Sequence, residues 1–228
     1  MSTQTEPQTL TPPTLTLVTG RALYRPRADK SDPLSLVEAA VAGGVGIVQL
    51  RARASDSGDD LGLFAVALRL RELTAGRAQF IVTGDLELAE KCEADGILIT
   101  EQEYKPDAAR SFLRAPGGGL VGSFARSVPG AARAERGGAD YVQVGPALDA
   151  AAPGEGLALL RKIKDAVQVP VIAFGGIKTA ADVADCLRAG ADGVAVTDAV
   201  TAAEDPLAAA TALRTAMDAA WRALHAGG

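Results

Sequence analysis

The stretch PVIAFGGIKTAADVADCLRAGADGVAVT, residues 170–197, decides the fold. Val171–Phe174 and Gly193–Thr197 are short runs that are apolar at nearly every position, as in strands covered on both faces. The segment Ala180–Ala189 between them reads as a helix and is followed by Gly190, a residue type that ends helices in left-handed geometry. Two apolar strands with a helical crossover form a parallel β-α-β unit.

The same rhythm extends outward in both directions. Strands are predicted at Leu15–Thr19, Gly46–Leu50, Phe80–Thr83, Gly96–Thr100, Leu120–Ser123 and Tyr141–Gly145. Helices are predicted at Leu34–Ala42, Asp60–Thr74, Leu86–Cys92, Pro106–Arg114, Pro129–Arg136 and Leu157–Val167, with Pro206–Leu224 closing the chain. Eight strands and eight helices in 228 residues predict one α/β domain, a (β/α)8 TIM barrel over 14–228, rather than an open sheet of fewer units. The junctions Glu93-Ala94-Asp95-Gly96, Gly138-Ala139-Asp140-Tyr141 and Gly190-Ala191-Asp192-Gly193 repeat one helix-to-strand turn. Their aspartates stand at strand entry and are expected to be structural, each bonding its own local backbone before the strand begins.

Composition excludes several function classes. The net charge of −5 gives no general attraction to nucleic acid or to an anionic membrane, and no segment is apolar for long enough to span a bilayer. Met1–Pro13 is polar and rich in Thr, Gln and Pro; it is expected to be a disordered tail, and it lacks the basic start and apolar core of a secretory signal. A cytoplasmic location follows as the expectation. Cys92 and Cys186 have no partner at metal-ligand spacing and read as small buried hydrophobes. The single histidine, His225, is expected on the surface beyond the last packed turn, which leaves no imidazole for zinc or for acid–base work inside the barrel. Nothing in the sequence fixes self-association, and a homo-oligomer is compatible with it.

In a barrel the working residues stand just after each strand. Gln49, Arg51 and Arg53 alternate with period two, so Gln49 and Arg51 share a face; Arg51 offers a fork to phosphate or carboxylate, or else takes part in a buried ion pair. Thr83 and Asp85 follow the third strand and Glu103 the fourth. Asp85 and Glu103 are candidate Mg2+ ligands, although capping of the following helix accounts for Asp85 equally well. Gly175 and Gly176 after the seventh strand expose backbone N–H groups suited to a phosphate, or simply make a tight turn. At the eighth exit Thr197 offers a hydroxyl, and Asp198 repels a phosphate unless it caps a turn or faces away. No side chain stands out as a catalytic nucleophile or base.

Taken together, Leu17-Val18-Thr19, the run from Gly44 to Arg51, the run from Gly138 to Pro146, and the runs Pro170–Ile177 and Ala189–Val196 resemble the thiamine-phosphate synthase and TenI (thiazole tautomerase) family. The resemblance implies a transferase that joins hydroxymethylpyrimidine pyrophosphate to thiazole phosphate with Mg2+ and releases pyrophosphate, its ligand being a small phosphorylated heterocycle. It implies pyrimidine-pyrophosphate contacts at Gln49 and Arg51, with Arg53 in place of a lysine, and substrate contacts at Thr83, Arg126, Gly145, Thr197 and Asp198. Several positions depart from the family pattern. Thr83-Gly84-Asp85 replaces Asn-Asp-Arg, Glu103 replaces a metal-binding aspartate, and Leu98 and Thr100 replace His and Gly. Arg126 lies near the usual histidine, residues 148–153 lack the Thr-x-Thr-Lys loop, and Asp198 replaces a serine. Three readings follow: a synthase with altered anion contacts, a TenI-like tautomerase, or a non-catalytic ligand-binding or partner protein whose mouth is filled by Phe124, Leu98 and internally paired Arg–Asp side chains.

Overall fold

A computed structural model describes residues 10–20, 32, 34–51, 60–100, 104–115 and 118–226. Arg53 and Glu103 therefore lie outside the described residues, as do residues 1–9 of the expected tail. The strands are β1 (Thr14–Thr19), β2 (Ile47–Arg51), β3 (Gln79–Thr83), β4 (Gly96–Thr100), β5 (Leu120–Ala125), β6 (Tyr141–Val144), β7 (Val171–Phe174) and β8 (Gly193–Val196). The helices are α1 (Ser35–Ala42), α2 (Asp60–Thr74), α3 (Leu86–Lys91), α4 (Pro106–Arg110), α5 (Val128–Arg136), α6 (Glu155–Lys164), α7 (Ala180–Arg188), α8 (Asp198–Thr201) and α9 (Pro206–His225). The strands are parallel, each pairs with the next, and β8 pairs with β1, so the sheet closes as the TIM barrel expected from the sequence.

Alternation along each strand divides the core into two parts. Val18, Ile47, Ile81, Leu98, Leu120, Tyr141, Ile172 and Ala195 point inward and fill the barrel, with Leu10 buried among them. Tyr141 fits because β5 carries glycine beside it: a Cβ on Gly122 would stand 2.2 Å from the tyrosine ring. The other strand residues, such as Leu15, Leu17, Val48, Leu50, Phe80 and Val82, pack outward against buried helix residues including Val37, Leu70, Leu160, Ile163, Val183, Leu213 and Met217. Both faces of the sheet are thus apolar, which is why the strands read as continuous runs.

Four helix starts are fixed by side-chain caps. Asp85, Ser127, Thr179 and Asp205 each accept a backbone N–H of the first turn, from Leu88, Gly130, Asp182 and Ala208 respectively. At Thr179 the capping box is complete, because Asp182 accepts the Thr179 N–H in return.

The structure corrects the sequence reading in three places. Nine helices occur among the described residues, not eight, since α8 is a four-residue helix directly after β8 and is too short to show periodicity. The predicted helix Pro106–Arg114 ends at Arg110, whose guanidinium turns to the carbonyls of Gly119 and Gly138. His225 is exposed, as expected, but it continues α9 one residue past the predicted end at Leu224, stacked on Trp221 at 3.9 Å between centroids.

The repeated aspartates are structural, as expected, but each bonds the backbone of the preceding strand rather than its own local backbone. Asp95 accepts the N–H of Phe80 at 2.8 Å, Asp140 that of Val121 at 2.7 Å, and Asp192 that of Val171 at 2.8 Å. Each also meets a cation from the helix before the strand it holds: Arg71 at 3.1 Å, Arg110 at 2.9 Å and Lys164 at 2.6 Å. Replacing Asp192 by Ala strands a buried N–H and the Lys164 ammonium, and is expected to cost about 2–3 kcal/mol in urea unfolding. A loss of only a few tenths would show that water substitutes for the carboxylate.

Candidate functional site

At the C-terminal ends of the strands, inward positions from the six consecutive exits of β2 to β7 converge on a cavity of about 140 Å³ lined by Gln49, Arg51, Thr83, Leu98, Thr100, Phe124, Arg126, Gln143 and Phe174. Each arrives by the period-two rule: Gln49 and Arg51 follow Ile47 on the inner face of β2, Thr83 follows Ile81 on β3, and Phe174 follows Ile172 on β7.

Two amides and two guanidiniums give the site its polarity. Gln49 is 3% exposed and donates from Nε2 to the Thr83 hydroxyl at 2.9 Å, which fixes its amide plane and leaves its carbonyl oxygen available. Gln143 is 2% exposed, also lines the cavity, and its side chain makes no hydrogen bond among the described residues, so its carboxamide brings both donor and acceptor to the cavity. Among the described residues neither Arg51 nor Arg126 meets a carboxylate, so the described lining of the mouth is cationic even though the whole chain is acidic. The buried ion pair weighed for Arg51 is therefore not formed among the described residues.

The walls are aromatic. Phe124 and Phe174 meet edge to face with centroids 6.2 Å apart, and the Arg126 guanidinium lies 5.6 Å above the Phe124 ring. This contact holds Arg126 at the rim, against the aromatic wall.

Other candidates lie outside this cavity. Asp85 spends Oδ1 on the Leu88 N–H at 2.8 Å and caps α3, in line with the capping alternative. Thr197 is the residue before α8 and Asp198 its first residue; neither lines the cavity. Gly145 packs against the backbone of β7, where a Cβ would stand 2.3 Å from the Phe174 carbonyl oxygen. Gly175 and Gly176 have φ of +95° and +77° and serve to dock the loop after β6: Ala147 and Leu148 donate their N–H groups to the carbonyls of Phe174 and Gly175 at 2.8 and 3.1 Å.

Among the described residues no three acidic, histidine or cysteine side chains come together, so they form no all-protein Mg2+ cage; of the two expected ligands Asp85 uses Oδ1 in its helix cap, which leaves Oδ2, and Glu103 lies outside the described residues. A thiol nucleophile is excluded too, since burial pushes Cys92 up to about 11 and Cys186 up to about 12, leaving both protonated at neutral pH. Burial, reinforced by the nearby Asp140 charge, also raises the phenol of Tyr141, which therefore acts as packing.

Sequence reasoning missed Gln143. It stands in a motif that marks the sixth strand, and its significance depends on lying across the barrel from Gln49. The available signal was the polar residue at an inward position of a strand that is otherwise apolar: Tyr141, Val142, Gln143, Val144.

Comparison with known proteins places this site in context. Residues 15–200 match the family model described as thiamine monophosphate synthase. The chain is 42% identical over 191 residues to a thiamine-phosphate synthase of Methanoculleus marisnigri, covering 81% of this chain and 88% of that one. It is 38% identical over 207 residues to a thiamine-phosphate synthase of Chloroflexus aurantiacus, covering 88% and 90%. The solved structure of a thiamine phosphate pyrophosphorylase from Pyrococcus furiosus superposes with a TM-score of 0.76 at 30% identity, covering 91% of this chain and 96% of that one. No described helix is long and apolar enough to cross a membrane. With the match spanning all eight strands, the chain belongs to the thiamine-phosphate synthase/TenI family.

Proposed function

We propose that the barrel mouth binds hydroxymethylpyrimidine pyrophosphate and joins it to thiazole phosphate, releasing pyrophosphate. The observation that carries this reading is the convergence of Gln49, Gln143, Arg51 and Arg126 around an aromatic wall, with no carboxylate among the lining residues. The free carbonyl of Gln49 suits the exocyclic amine of an aminopyrimidine, and Gln143 can read a ring nitrogen and its neighbour. Phe124 and Phe174 give the ring an apolar wall, while the two guanidiniums face the anionic end.

In the reaction the thiazole nitrogen lone pair forms a bond to the pyrimidine methylene carbon, the carbon–oxygen bond breaks, and its electron pair leaves on pyrophosphate. No proton need be removed from the attacking nitrogen, so the absence of histidine from the site is no obstacle. The residues contribute orientation and neutralisation of the leaving charge. The tautomerase alternative is less well supported, because it requires a proton shuttle where the always-protonated Arg126 stacks on Phe124.

A second reading, ligand binding without turnover, is favoured by one observation. The cavity of about 140 Å³ falls below the roughly 300–1,000 Å³ usual for small-molecule sites, with Leu98, Phe124 and Phe174 narrowing it. Isothermal titration with a pyrimidine pyrophosphate analogue, followed by an assay for pyrophosphate release on adding thiazole phosphate, separates the two. Binding with release supports the synthase, binding alone supports the second reading, and absence of heat at millimolar ligand sets the synthase aside and leaves a barrel with another ligand or none.

A further inference from the structure

The barrel repeats one structural junction four times, and the fourth copy is incomplete. Residues Glu93, Gly138 and Gly190, with φ of 51°, 89° and 94°, lead into Asp95, Asp140 and Asp192; Gly44, with φ of 100°, leads in the same way into Gly46. The backbone bonds agree. Asp95, Asp140 and Asp192 donate their N–H groups to Phe80, Val121 and Val171 at 2.9, 2.8 and 2.7 Å, and Gly46 donates to Leu15 at 2.9 Å. Glycine therefore stands where the other three junctions carry a carboxylate.

The cation belonging to that missing carboxylate is present. In the closed barrel α9 precedes β1 as α2, α4 and α6 precede β3, β5 and β7, and Arg214 on α9 takes the place of Arg71, Arg110 and Lys164. Its Cγ lies 2.8 Å from where a Cβ on Gly44 would stand, just as the Lys164 Cγ lies 3.0 Å from the same point on Gly190. Lacking an aspartate on β2, Arg214 turns along its own helix to Asp218 at 2.6 Å and to the Pro13 carbonyl at 3.1 Å. The N–H of Leu15, the equivalent of those of Phe80, Val121 and Val171, has no side-chain acceptor among the described residues, although Leu15 is fully buried.

The space left by the missing side chain is open. A Cβ on Gly46 would meet nothing within 4 Å, and Gly46 borders a cleft of about 600 Å³ whose lining includes Arg71, Arg77 and Arg214 against the single carboxylate of Asp95. This cleft lies at the strand N-termini, the opposite end of the barrel from the mouth. Its volume is that of a small-molecule site.

We propose that this cleft is a second binding site, in which the carboxylate or phosphate group of a small ligand sits beside Gly46, where the fourth aspartate would project, held by Arg214 and Arg71. A bound oxyanion gives Arg214 there the partner that the aspartates give the cations of the other three junctions.

The test uses the full chain carrying Arg51→Ala and Arg126→Ala, so that the mouth contributes no anion binding. Melting temperature and titration heat are measured with inorganic phosphate and, separately, with succinate, at constant ionic strength. At least one anion is expected to bind and raise the melting temperature; which of the two responds assigns the head group. Adding Gly46→Asp, which supplies the carboxylate from the chain itself at a position with an ordinary backbone angle, should weaken that binding by about tenfold or more and raise the melting temperature without ligand. Gly46→Ala, which adds a methyl into open space, should leave binding unchanged. The proposal is overturned if neither anion binds, if Gly46→Asp binds as its parent does, or if Gly46→Ala loses binding equally.

Discussion

Gly176→Ala is expected to destabilise the barrel by roughly 3 kcal/mol or more, well above the shift of about 0.5 kcal/mol that bounds most surface substitutions. Two causes act together. The residue has φ of +77°, which costs a residue with a Cβ about 1 kcal/mol or more, and the new methyl would stand 1.7 Å from the Leu148 carbonyl oxygen. Leu148 cannot retreat without releasing its own N–H from the Gly175 carbonyl at 3.1 Å, so the loop after β6 must leave the exit of β7. Gly154→Ala separates the two causes: its φ is +83°, but nothing lies within 4 Å of the added Cβ, so it should cost only about 1 kcal/mol. Urea unfolding of both variants checks this, and equal losses would mean that the loop contact carries no energy. Because Phe174 immediately precedes the glycine pair, ligand affinity at the mouth should fall with Gly176→Ala and not with Gly154→Ala.

Arg51→Ala is expected to weaken binding of a pyrophosphate-bearing ligand by about 10–100-fold while leaving stability within about 0.5 kcal/mol. The side chain is the exposed end of β2 and lines the mouth, and among the described residues no carboxylate pairs with it, so its removal strands no described partner. Arg51→Lys should recover part of the affinity, since an ammonium keeps the charge and loses the two-pronged geometry. Titration at several salt concentrations checks both: the parent's affinity should fall as salt rises, and Arg51→Ala should show a shallower fall. Unchanged affinity would move the anion contact to Arg126 or away from the mouth. Arg126→Lys offers the comparison, because it loses the stacking on Phe124 as well as the fork.

The features behind these expectations differ in how far local sequence reveals them. The strands at Gly96–Thr100 and Val171–Phe174 and the helix at Asp60–Thr74 are readable to the residue, because doubly covered strands and a long helix leave strong local patterns. The aspartate junctions are readable as structure because they recur. Gln49, Arg51, Thr83 and Arg126 are readable as candidates because each stands at or just after a strand end, and the fold brings all four to one cavity. The short helix α8, the early end of α4 and the ordered end of α9 at His225 are not readable, since each depends on a contact with little periodic trace. The role of the glycine pair is equally undecided by sequence: a tight turn and a phosphate cradle demand the same residues, and only the position of Leu148 shows what crowds them.

The sequence by itself determined the count of β-α units, the apolar faces of the strands and the helix caps, because all of these are set by residues a few positions apart; the repeated aspartates recur visibly, but their partners lie on the preceding strand. Tertiary structure alone decided which exit residues meet. Alternation tells which side chains on one strand point inward, but their relative heights follow from the stagger of strands imposed by closing β8 onto β1. That stagger puts Gln143 in the same cavity as Gln49, and it sets Arg214, near the end of the chain, beside the glycine that leaves a carboxylate's place open near its beginning.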